Sequence, residues 1–202
     1  MRRCRWLVLP ILLAFSPALL QAQDRRLSDR LDPATASSVQ QLVDSARAAG
    51  LPTEPLVQKA LEGSTMGASG DRIRAAVAGL FSQLGRAREA LGNSASEAEL
   101  TAGAGALRAG LPPASLAELH RLRYHQSLAV PIAVLADLVA EGMPREQATR
   151  EVFELAREGR PDDEFVALRR RVQNQKRGEP GTTEPLQRPA AAPAADPPSA
   201  AR

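Results

Sequence analysis

Residues 39–63, VQQLVDSARAAGLPTEPLVQKALEG, decide the fold. Val39, Leu42, Val43 and Ala46 recur at three- and four-residue spacing, as on one face of a helix, and Leu56, Val57, Ala60 and Leu61 repeat the pattern after a break. The break is Gly50-Leu51-Pro52. Glycine takes the left-handed conformation just past a helix, the next apolar residue folds back on the last turn, and proline stops the helix from continuing. A helical hairpin is predicted, entered at Asp32-Pro33 with Asp32 as cap and Pro33 in the first helical position.

The same turn recurs as Gly110-Leu111-Pro112 and Gly142-Met143-Pro144, so Gly50, Pro52, Gly110, Pro112, Gly142 and Pro144 are read as structural turn residues. Between the turns, Ile73, Val77, Leu80, Phe81, Leu84 and Leu91 predict a long helix near 70–92. Ser96 with Glu99 is a capping box opening another that runs to about Ala109, weakened by Gly103 and Gly105. Further helices are predicted near 113–124, 130–141, 144–157 and 162–175. No window shows sustained alternation, so the expected class is all-α: short helical hairpins in an irregular bundle or degenerate α-solenoid of about eight helices. Sliding the chain by 92 residues places Gly50 on Gly142, Pro52 on Pro144, Gly67 on Gly159 and Asp71 on Asp163, which favours a degenerate repeat.

The ends differ from this middle. Arg2, Arg3 and Arg5 precede an apolar run from Trp6 to Leu20 that Pro10 and Pro17 interrupt, and Leu20-Gln21-Ala22 suits a cleavage site. Residues 1–22 thus read as a secretory signal peptide, being short of the roughly 20 apolar residues of a spanning helix. Residues 23–31 read as a flexible leader, 32–177 as the helical domain, and 178–202 as a disordered Pro/Ala-rich tail with little apolar mass to bury. The expected location is periplasmic or extracellular.

Losing the signal removes three of 26 cations and leaves 23 against 23 acids, so the basic balance is no argument for nucleic acid. Cys4, the single cysteine, leaves too, and with it any thiol or disulfide chemistry. His120 and His125 are five residues apart, off the one-face spacing of helical metal ligands. Glu62 and Glu154 share a repeat position but are read as surface acids, and Asp162, Asp163 and Glu164 as acids at a helix start. The 63–70 loop carries Ser64, Thr65 and Ser69 without a preceding strand or a following Lys-Ser/Thr, so it is not a phosphate loop.

Arg169, Arg170, Arg171, Lys176 and Arg177 form the strongest cationic run and are the residues assigned to anionic-surface contact. No acid stands three or four residues before Arg169 or Arg170, so these cations face neighbouring helices or solvent. No catalytic, metal or cofactor-binding residue is assigned. The function expected is that of an exported, non-catalytic helical module binding an unidentified protein or envelope component. The alternative is a peripheral protein on anionic lipid through residues 169–177; a hydrolytic enzyme is a third and weaker reading.

Overall fold

The computed structural model describes residues 25–178, all helices and connecting turns, with no strand among them. The signal assigned to 1–22 and the tail assigned to 178–202, apart from Gly178, lie outside the described residues. Eight helices of ten or more residues follow one another: α1 Pro33–Ala48, α2 Glu54–Thr65, α3 Gly70–Leu91, α4 Glu97–Arg108, α5 Pro113–Leu122, α6 Ala129–Ala140, α7 Arg145–Arg157 and α8 Asp162–Arg177.

Their starts are chemical. Asp32 accepts hydrogen bonds from the backbone N–H of Ala34 and Thr35, and Pro33 fills the first helical position of α1. At α4 the capping box is complete: Glu99 N–H donates to Ser96 Oγ, while Ser96 N–H donates to Glu99 Oε2. Their ends are chemical too. Gly50 sits at φ +65°, its N–H donating to Arg47 O while Leu51 N–H reaches Ala46 O at 2.8 Å. That pair of bonds satisfies carbonyls the end of α1 would leave orphaned, and leucine at 51 is buried beneath the turn.

The same bonds recur at Gly110-Leu111 and Gly142-Met143, and Arg88 and Arg145 donate to the carbonyls of Gly50 and Gly110. A Cβ on Gly110 would meet nothing within 4 Å, so only its φ of +88° opposes a side chain. Gly110→Val is therefore expected to lower stability by about 1–2 kcal/mol, the cost of a left-handed L-residue. Chemical denaturation checks this; a variant that unfolds with the parent would mean the turn does not need glycine.

Along the chain the helices alternate between two layers. α1, α3, α5 and α7 lie side by side in one, while α4, α6 and α8 lie side by side in the other with α2 at its edge. The core runs between the layers, with Leu56, Leu84, Leu100, Leu119, Leu135 and Phe165 all buried. α4 is central, packed against α3 on one side and α6 on the other. Gly103 lets it come close: a Cβ there would stand 3.0 Å from Ala87 Cβ and 3.3 Å from Leu91 Cδ1.

Residues 25–31 depart from the flexible leader expected over 23–31. They form a helical turn at 25–28, and Leu27 is only 1 % exposed because it fills the edge of the core. Arg26 bonds both carboxylate oxygens of Glu54, and Ser64 Oγ donates to Arg30 O. One leucine among charged residues gives no periodic signal, which is why its burial is not read from sequence. No helix among the described residues is long and apolar enough to cross a membrane.

Candidate binding groove

The outward face of the second layer is made of small residues. α4 presents Ala98, Thr101 and Ala102 there, and α6 presents Ala129, Val130 and Ala133. Both stretches are helical for reasons unrelated to this face: α4 is held by its capping box and the core leucines, α6 by Ile132, Leu135 and Leu138 on its buried side. Because alanine extends no further than Cβ, the floor sits low between α2 and α8. The result is a hollow of about 750 Å³, walled by Pro52, Pro55 and Gln58 at one side and by Val166 and Arg169 at the other.

Two smaller hollows continue it. One of about 310 Å³ shares Ala102 and Ala133 and extends along Gly105, Ala136 and Ala140. Another of about 400 Å³ shares Pro55, Gln58 and Thr101 and runs between α2 and α4 to Arg108. Together they form one continuous groove across α2, α4, α6 and α8. The first hollow alone lies within the size range of ligand sites, but it is open, and Lys59, Glu62 and Arg108 line the branch between α2 and α4.

Charges stand at its rim. Arg169 Nη1 donates to Asp137 Oδ2 at 2.7 Å, tying α8 to α6, and Glu97 and Glu54 border the α4 and α2 side. Glu54 is engaged by Arg26.

A second cluster lies at the start of α4. Glu99 Oε1 accepts from Leu128 N–H at 2.8 Å, joining the start of α4 to the start of α6. Burial pushes the Glu99 carboxyl up, but the N–H groups of Ser96 and Leu128, the Ser96 hydroxyl and the nearby His120 outweigh it and hold the group below the usual glutamate value. A carboxyl depressed in the folded state adds stability above its unfolded pKa and loses it as pH falls through the folded value. Between pH 7 and pH 3, Glu99→Gln is therefore expected to narrow its deficit relative to the parent, the change falling below about pH 4.3. Urea unfolding of both proteins across that range checks it; a deficit independent of pH would remove the carboxylate from the account.

Near Glu99, the Tyr124 ring lies between the imidazoles of His120 and His125, at centroid distances of 5.7 and 4.6 Å. No group of three or more His, Cys, Asp or Glu among the described residues is placed to hold a metal ion.

The residues singled out from sequence are dispersed. Arg169 faces the groove, Arg170 is exposed, and Arg171 lines a separate cleft with Glu151, Glu154 and Glu158. Lys176 and Arg177 lie exposed at the end of α8. Glu62 pairs with Lys59 and stands on α2, in the layer opposite Glu154 on α7. Asp162 has a structural partner: it accepts from Arg123, which is 4 % exposed, also donates to Arg160 O, and lies 5.0 Å above the Phe165 ring.

Neither this knot nor the groove is legible beforehand. Arg123 stands in an ordinary helix end, and alanines read alike whether they are buried or exposed. The one available signal was α6, AVPIAVLADLVA, whose apolar residues run all the way round and so exceed what one buried face needs. No protein-family model matches the chain, and no characterised protein and no solved structure matches it.

Proposed function

We propose that the protein is an exported, non-catalytic interaction module that holds a segment of another polypeptide in the groove of its second layer. The observation that carries this reading is the continuous alanine-floored hollow spanning four successive helices of one layer. The alternating layers support a short degenerate α-solenoid, an architecture whose stacked helix pairs create extended binding faces. A groove without deep holes favours small apolar side chains in the bound segment, with orientation set by rim charges such as Glu97. Export rests on the signal-like pattern of residues 1–22. Attachment to an anionic surface has less support: Arg169 is committed to Asp137 and Arg171 sits among acids of α7.

Thr101→Arg with Ala102→Arg fills the floor while keeping strong helix formers in α4. Thr101 is exposed and Ala102 half-buried at the edge of the core, so the double variant is expected to lose about 1–2 kcal/mol and to keep the helical circular dichroism of the parent. Capture of the partner from envelope extract is expected to drop at least tenfold. Undiminished capture would place binding elsewhere. Protein recovered from the envelope should begin near Gln23 or Asp24; an intact Met1 in the soluble cytosolic fraction would remove export.

A further inference from the structure

The groove has a candidate occupant on its own chain. α8 forms one wall through Val166 and Arg169, then runs on to Arg177, where Gly178 at φ +70° turns the backbone out of the helix. From Arg169 to that exit is about 14 Å of helix. Residues 179–202 follow, carrying Pro180, Pro185, Pro189, Pro193, Pro197 and Pro198 with alanines between them. Ten residues reach about 31 Å even in the polyproline II form, so the Pro/Ala block from 189 onward arrives at the groove without strain.

The fit is one of size and reach. Proline and alanine are side chains that a shallow floor of Ala98, Ala102, Ala129 and Ala133 accommodates, whereas it offers no hole for a large aromatic. Crossing from α8 to α2 spans about 30 Å at ordinary helix spacing, and residues 189–202 cover about 43 Å. A short tether that spans its site acts at millimolar effective concentration, so even a weak contact stays filled.

We infer that the Pro/Ala-rich segment 179–202 occupies the groove in cis, so that a partner must displace it. This rests on the groove reading for its surface but is measured separately. The probe is a labelled peptide of residues 179–202, titrated against the native chain and against a full-length chain whose 179–202 is replaced by Gly/Ser of equal length. A Gly/Ser-tailed chain is expected to bind the peptide at least about tenfold more tightly, the factor by which a millimolar tether protects a site of roughly 100 μM affinity. Thr101→Arg with Ala102→Arg in that chain is expected to abolish binding.

Equal affinity for both chains, or binding to neither at millimolar peptide, overturns the inference. So does a concentration-dependent dimer of the native chain that the Gly/Ser tail removes, since the tail would then serve a second copy. Peptide binding without partner capture would sink the proposed function and leave the tail in the groove; capture lost in the floor variant without peptide binding would do the reverse.

Discussion

Gly103→Leu is expected to lower stability by about 3 kcal/mol or more, although leucine is the better helix former. Helix propensity alone would favour the change by roughly 0.8–1 kcal/mol. Packing opposes it: the first added carbon would already stand 3.0 Å from Ala87 Cβ and 3.5 Å from Leu116 Cδ1, and the remaining carbons of leucine have no space between α4 and the first layer. Overpacking of a closed site typically costs 1–3 kcal/mol and sometimes more, so steric strain wins. Gly105, two residues on, is the control. A Cβ there meets nothing within 4 Å, so Gly105→Ala is expected to gain up to about 1 kcal/mol. Opposite signs in urea unfolding would confirm how α4 is seated; equal gains would mean that α3 and α4 do not approach as described.

Phe165→Ala is expected to cost about 3–5 kcal/mol and lower the melting temperature by about 10 °C. Phe165 is fully buried and lies under the guanidinium of Arg123, which also holds Asp162 and the carbonyl of Arg160. Truncation opens a cavity beneath a charge that has left water, so the loss exceeds that of the aromatic area alone. Phe165→Leu separates the contributions, retaining most of the volume and removing the face on which the cation rests. Its coupling with Arg123→Met in a double-mutant cycle is expected to be about 1 kcal/mol. A coupling near zero would reduce the ring to filler.

The helices were legible because their buried faces repeat: Ile73, Val77, Leu84 and Leu91 placed α3 near 70–92, against an observed Gly70–Leu91. Turn chemistry was equally plain at Gly50, Gly110 and Gly142, since glycine between an apolar face and proline has few other uses. The arrangement of helices was not. The 92-residue alignment lays α2 on α7 and α3 on α8, which stand in opposite layers, so shared turns are matched there while the layers are exchanged. What decides the layers is which faces meet across long sequence separations. Arg123 with Asp162 and Glu99 with Leu128 are such contacts, and neither partner announces the other. Small residues conceal the groove for a related reason: Ala104 is buried and Ala98 exposed in one helix, with the same side chain.

The position of Tyr124 governs how the molecule will look to an optical instrument. It is the single tyrosine, Trp6 is the single tryptophan, and Tyr124 is 67 % exposed beyond the end of α5 with an imidazole on either side. In a chain lacking residues 1–22, ultraviolet emission comes from a ring already in water, so it changes little when the leucine interior melts. Loss of the helices therefore escapes the ring and is followed by circular dichroism instead.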